Sequence, residues 1–155
     1  MAVKRKKNKK LYVAAKALHN FELQVGFFDK YADGTPIGGI AAVQNFGAVI
    51  NRGDYSIIIP ARPFMSLAYN NHKAHWAGIV AKEMNQKLLK ENHKDASKAV
   101  AEELAFHVET AIENQIEMMN YPPNAESTLR QKDGSKPLVD TGEMLNSITH
   151  KVKKK

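Results

Sequence analysis

Few residues in this chain could do chemistry, and their spacing argues against catalysis. His72 and His75 stand three apart, so on a helix their imidazoles would share a face and could supply two metal ligands. A third ligand at suitable spacing is missing, and a solvated or capping role is the simpler reading. Gly38 and Gly39 lie inside a helical pattern with no following lysine, so they cannot form a phosphate-cradling loop of the GxxxxGK type. The chain has no GxSxG elbow, no HExxH pair and no Asp-rich calcium loop. It has no cysteine, which removes thiolate ligands, disulfides and a cysteine nucleophile. Trp76 falls on an apolar helical stripe and reads as core rather than as a base-stacking platform. We expect no enzymatic activity, no catalytic residue, no cofactor and no metal.

Charge is the stronger signal. Lys4, Arg5, Lys6, Lys7, Lys9, Lys10 and Lys16 crowd residues 1–16, and Lys151, Lys153, Lys154 and Lys155 fill residues 151–155, with no acid in either segment. These eleven leave twelve basic residues against all sixteen acidic ones between 17 and 150, so the net charge of +7 conceals a mildly acidic body with basic ends. Like-charged runs repel themselves and stay solvated unless an acidic surface or a nucleic acid orders them. Lys4, Arg5, Lys6, Lys7, Lys9, Lys10, Lys153, Lys154 and Lys155 are therefore candidate contacts to partner subunits or to DNA phosphates. The apolar stretch behind the first run is short and broken by Lys16 and His19, which fits neither a signal peptide nor a membrane span. A cytoplasmic site of synthesis and use is expected.

The elements that must position these groups follow from hydrophobic period. At 155 residues, 43% of them hydrophobic, the chain has the size of one globular domain, taken as residues 17–150 between a basic arm (1–16) and a basic tail (151–155). Leu11 to His19 is Ala-rich and weakly helical or irregular. Phe21, Leu23, Val25 and Phe27 alternate with other residues as in a half-buried strand, closed by an Asp33-Gly34 turn. Thr35 at the N-cap and Pro36 at the first position can open a helix carrying Ile37, Ile40, Ala41 and Gln44, with Gly47 at its end. Tyr55 to Ile59 reads as a strand with both faces partly covered, stopped by Pro60.

Two long helices follow. The first runs from about Phe64 to Leu89 with Trp76, Val80, Met84 and Leu88 as its stripe, flanked by Ile79. A break at 91–94 precedes the second, unless the two form one long bent helix; Asp95 or Ser97 can cap it, and it buries Val100, Leu104, Val108, Ala111, Ile112, Ile116 and Met119 before Pro122-Pro123 stops it. Residues 124–137 show no periodicity and form a long loop. Thr141 to Leu145 forms a short turn and Ser147 to Val152 a returning strand. The class is α+β: a small mixed or antiparallel sheet against one or two long helices, with a long loop before a C-terminal strand.

Pro60 and Pro63 bracket Arg62 and confine the residues before them to extended backbone, so the guanidinium is carried on a stiff element. It can grip a carboxylate across a subunit boundary or within the chain, for example Asp140. Asp140-Thr141 before Gly142 reads as local turn or cap hydrogen bonding. Phe46 and Phe64 read as core residues, either of which could instead dock on a neighbour.

Three segments, in order, resemble the tail-completion family of long-tailed bacteriophages, which includes virion-morphogenesis and minor-tail-protein-Z-like proteins. They are Ile40 to Gly47, ending in the aromatic-glycine pair Phe46-Gly47; Ile59-Pro60-Ala61-Arg62-Pro63-Phe64-Met65; and Lys136-Pro137-Leu138-Val139-Asp140-Thr141-Gly142 with Leu145, Ser147 and Ile148 behind it. The resemblance spans roughly Val25 to Val152, with the long helices matching only in pattern. Asn45 departs from it, since the family pattern has Glu there, and an intersubunit contact made by that acid would be altered. The resemblance implies a virion protein of the neck, assembled in a host cytoplasm into a ring, of six copies, between the tail tube or tail terminator and the head-side connector, with DNA passing the channel and no membrane partner. Candidate intersubunit contacts are Arg62, Phe64, Asn45, Thr128, Lys132 and Asp140. The alternative is a small basic nucleic-acid-binding protein, whose lysine-rich ends would bind without sequence preference.

Overall fold

The computed structural model describes residues 16, 18–88 and 93–155, the side chains of residues 88 and 93–95 excepted. The candidate contacts Lys4, Arg5, Lys6, Lys7, Lys9 and Lys10, most of the stretch from Leu11, and part of the break between the long helices lie outside the described residues. The elements run β1 (Phe21–Phe27), α1 (Ile37–Phe46), β2 (Ala48–Arg52), β3 (Tyr55–Ile59), α2 (Phe64–Leu88), α3 (His93–Met118), α4 (Glu126–Leu129), α5 (Glu143–Asn146) and β4 (Ile148–Lys154). The α+β class holds. The strands divide into two two-stranded sheets, β1 with β4 and β2 with β3. Among the described residues no helix is long and apolar enough to cross a membrane.

The chain separates into two compact units, each assembled from segments distant in sequence. One comprises the described residues up to Gln24, Lys73–His107 and His150–Lys155. Its core joins Met84 and Val100, with Leu18 and Val80 packed on them, as the helical spacing of Val80 and Met84 requires. Ala96, Ser97, Ala101 and Ala105 are also buried on α3. Ser97 therefore does not cap the helix, which already begins at His93. β4 is held by Lys155 N–H donating to the Asn20 carbonyl (2.7 Å) and by a hydrogen bond between His150 Nε2 and Glu102 Oε2 (2.8 Å).

The other unit comprises Val25–His72 and Val108–Thr149. It buries Ile37 and Ala41 of α1, Phe64 and Ala68 of α2, Ala111, Ile112 and Ile116 of α3, and Met119, Leu138 and Met144 beyond it. The i, i+4 spacing of each helical pair sets one face inward. Phe64 is fully buried and meets Phe27 edge to face at 6.1 Å. Of the stripe expected on α3, Leu104 and Val108 are only half-buried.

Local chemistry corrects several expectations here. Pro36, not Thr35, takes the N-cap of α1. Thr35 is spent on the preceding turn: its N–H donates to Asp33 Oδ1 (2.8 Å) and its carbonyl accepts from Tyr31 N–H (2.9 Å). Gly47 ends α1 at φ 75, its N–H donating to the Val43 carbonyl, and a Cβ there would stand 2.9 Å from the Ile59 carbonyl oxygen. Only glycine meets both demands. β2, not anticipated, pairs antiparallel with β3 from Ala48↔Ile59 to Arg52↔Tyr55 across the two-residue turn Gly53-Asp54. Gly53 at φ 65 supplies the positive φ that such a turn needs at its first position. This hairpin is not covered on both faces: Val49, Tyr55, Ile57 and Ile58 are exposed, Ile58 at 73%. Phe46 is 75% exposed and is not a core residue, because the α1 face that turns inward carries Ile37, Ala41 and Asn45. α4 interrupts the segment expected to be a featureless loop.

Phe64 and Phe46 thus make opposite predictions. Phe64→Ala should cost about 3–5 kcal/mol through lost burial and the cavity left behind, whereas Phe46→Ala should stay within about 0.5 kcal/mol, both read from the midpoint of denaturant unfolding.

Candidate functional site

Arg62 is a firmly held side chain of the unit Val25–His72 with Val108–Thr149. It leaves β3 on the Pro60–Pro63 segment, where restricted backbone keeps the chain extended, and it is 4% exposed. Its three donor groups fan onto three carbonyl-type oxygens. Nε donates to the Pro122 carbonyl (2.8 Å), Nη2 to the Pro123 carbonyl (2.9 Å) and Nη1 to Gln44 Oε1 (2.8 Å). Its backbone N–H also donates to the Gln44 carbonyl at 2.7 Å. The end of α1, the exit of β3 and the linker after α3 are tied at one point. Among the described residues no carboxylate takes part, and in place of the expected grip on Asp140 the guanidinium meets a neutral cage. Burial lowers the guanidinium's pKa from its ordinary value. A guanidinium suits this task because its planar fork addresses several acceptors at once and stays charged.

Asn45 and Phe64 also lie inside. Asn45 is 2% exposed, and its Oδ1 accepts from Met65 N–H at 3.0 Å, capping the first turn of α2. Its Nδ2 finds no partner among the described residues. Neither residue reaches the surface, so the intersubunit contacts expected of Asn45, Phe64 and the Arg62 guanidinium are set aside in favour of internal roles.

The other expected residues do converge. Thr128, Lys132 and Asp140 line one groove of about 730 Å³ together with an edge of Arg62. Its apolar part comes from Ile40 of α1, Ile57–Ile59 of β3, and Leu138 and Met144. Polar lining comes from Tyr31, Gln44, Asn124, Asp140 and Glu143. The irregular wall is braced from within: Asn124 Nδ2 donates to the Ser135 and Lys136 carbonyls (3.3 Å each), and Lys132 Nζ donates to the Lys136 carbonyl. Thr141 Oγ1 accepts from Glu143 N–H at 3.3 Å, the local turn bonding that Asp140-Thr141-Gly142 suggested.

Electrostatics across the groove are mixed. Desolvation lowers the pKa of Lys132, with Asp140 opposing that shift and Arg62 adding to it. Burial raises the pKa of Tyr31, and the negative charges of Glu143, Asp140 and Asp33 raise it further. Tyr31 thus stands within reach of several acids, two of which, Asp140 and Glu143, also line the groove. The groove residues that sequence reasoning did not single out include Tyr31, Gln44, Ile57, Ile58 and Glu143. Gly53-Asp54 between two β-branched runs was the available signal for the hairpin that carries Ile57 and Ile58.

Lys153, Lys154 and Lys155 lie in the other unit, at the end of β4. His75 faces His107 edge to face at 6.5 Å, and among the described residues no three His, Cys, Asp or Glu side chains are grouped to hold a metal ion.

No family model matches the chain, no curated protein matches it, and no solved structure matches it.

The Arg62 fan carries its own test. Arg62→Lys keeps the charge and loses the fork, so it should destabilise the fold by about 2–3 kcal/mol because buried carbonyls lose their donors, read as a fall in the unfolding midpoint with unchanged slope.

Proposed function

We propose that this protein is a structural subunit of a long-tailed bacteriophage virion, a tail-completion ring subunit that terminates the tail and joins it to the head-side connector, without enzymatic activity. One observation carries the reading: the three segments that resemble the tail-completion family, separated by long stretches of chain, converge on a single groove. Ile40 and Gln44 come from the first, Ile59, Pro60 and Arg62 from the second, and Pro137, Leu138, Asp140, Thr141 and Gly142 from the third. Residues scattered through a sequence and gathered at one surface mark that surface as the working part of the molecule.

The surface has the chemistry of a subunit contact. Exposed Val49, Tyr55 and Ile58 on the β2–β3 hairpin, with Phe46 beside it in sequence, leave apolar area that a solitary chain would gain by covering. A closed ring of identical copies uses two different patches per subunit, one fitting the other. Exposed Met118 and Tyr121, at and beyond the end of α3, supply apolar area apart from the hairpin in sequence. In this reading the homo-oligomer is a hexamer, its neighbours are the tail tube or terminator on one side and connector proteins on the other, and it resides in the virion neck after assembly in the host cytoplasm.

Negative-stain imaging and native mass measurement of the purified chain, alone and mixed with tail tubes, test this. Annular multimers are expected. Ile58→Asp, at an exposed position, should abolish them while leaving the circular dichroism spectrum and unfolding midpoint unchanged. A monomer under both conditions would overturn the proposal.

A further inference from the structure

The β2–β3 hairpin is open on both faces. Val49 and Ile58 share one face and Ile50 and Ile57 the other, as their cross-strand register requires, and all four are exposed. An isolated two-stranded hairpin is marginal in water, so a strand added to it is stabilising. Its edges can take one. A two-residue turn closes on a hydrogen-bonded pair, so Arg52↔Tyr55, Ile50↔Ile57 and Ala48↔Ile59 spend their backbone groups within the hairpin. The N–H and C=O groups of Val49 and Asn51 then point out of one edge, and those of Ser56 and Ile58 out of the other. Among the described residues no third strand joins this sheet. Neither strand holds a lysine, a proline or a bulge, the devices that keep edge strands apart. The groove follows the β3 edge, because Ile57 and Ile58 point to opposite faces and both line it.

We propose that copies of this chain join edge to edge through the hairpin, β2 of one copy lying antiparallel to β3 of the next along the groove. The inference rests on the ring reading and specifies its contact. The outward backbone groups set the register: Val49 of one copy opposes Ile58 of the next, and Asn51 opposes Ser56. This repeats the pairing within the hairpin, so the turns of successive copies lie level. Asp54 of one copy then stands beside Arg52 of the next, and charge alternates along the row of turns. Pairing like strands loses this match. Run antiparallel, β2 with β2 or β3 with β3 points the turns apart; run parallel, it sets like charge against like. Joining two different edges also makes the contact head-to-tail, the kind that closes a ring.

The chain has no cysteine, so introduced thiols report the contact without background. In this register Ile50 of one copy and Ile57 of the next form a non-hydrogen-bonded pair with Cα atoms about 4.5 Å apart, within disulfide reach. Full-length Ile50→Cys and Ile57→Cys chains, coexpressed and then oxidised, should give crosslinked pairs on non-reducing electrophoresis, and neither variant alone should. Ser56→Pro removes an outward N–H and spares the ladder within the hairpin; native mass measurement should find its multimers reduced to monomers. Ser56→Ala loses the same side-chain bond to Asn51 Oδ1 (2.7 Å) but keeps the N–H, and should retain them. Multimers that lack the mixed crosslink, that crosslink equally in either variant alone, or that survive Ser56→Pro would overturn the pairing and leave the ring standing. A wild-type chain that stays monomeric, alone and with tail tubes, would overturn both.

Discussion

The groove-bearing unit depends on a buried guanidinium that finds no anion to pair with among the described residues. Arg62 is almost wholly out of water, and its positive charge is met only by carbonyl dipoles and one amide oxygen. A desolvated charge is costly unless its donors are satisfied, so the carbonyls of Pro122 and Pro123 and the side chain of Gln44 must come to it. That requirement fixes the linker after α3 against the end of α1 and the exit of β3. The groove walls attach at these three places. Proline assists at each side: Pro60 and Pro63 stiffen the arginine's own segment, and Pro122 and Pro123, lacking N–H groups, present carbonyls in a stretch that cannot continue the helix.

Beside this fixed frame, the surfaces that would meet a partner are left open. Asn45 caps α2 from inside and Gly47 lets α1 end against β3, so the hairpin leaves the frame in a set direction. Its side chains Val49, Tyr55 and Ile58 are nonetheless exposed. Residues 124–137 fold back on themselves through Asn124 and Lys132, which gives an irregular segment a defined shape without burying it. In the proposed assembly, a firm frame with an open apolar margin would lose little entropy on docking.

Much of this was legible from the chain. Period alone gave the long helices, because Val80, Met84, Val100, Ile112 and Ile116 repeat where a helix buries them. The strand at Phe21–Phe27 and its C-terminal counterpart were equally plain. Thr128, Lys132 and Asp140 were singled out and do share a surface. What stayed hidden was set by tertiary choices. Tyr55 to Ile59 is as apolar as a buried strand, and only the missing partner element leaves it exposed. Phe46 looked like core by type, yet the inward face of its helix belongs to Asn45, a smaller residue whose amide is needed at the start of α2. The partners of Arg62 are mostly backbone carbonyls, which no residue type advertises. The basic tail read as a free arm because its anchors, His150 to Glu102 and Lys155 to Asn20, are distant in sequence.

The central claim is that the Arg62-framed groove is covered when copies of the chain assemble. Amide hydrogen exchange, compared between the free chain and the chain bound to tail tubes, tests it most directly. The account predicts slowed exchange concentrated in residues 57–60, 124–132 and 137–144, with α2 and α3 changing little. Unchanged exchange across those three segments, with protection appearing only elsewhere, would contradict it.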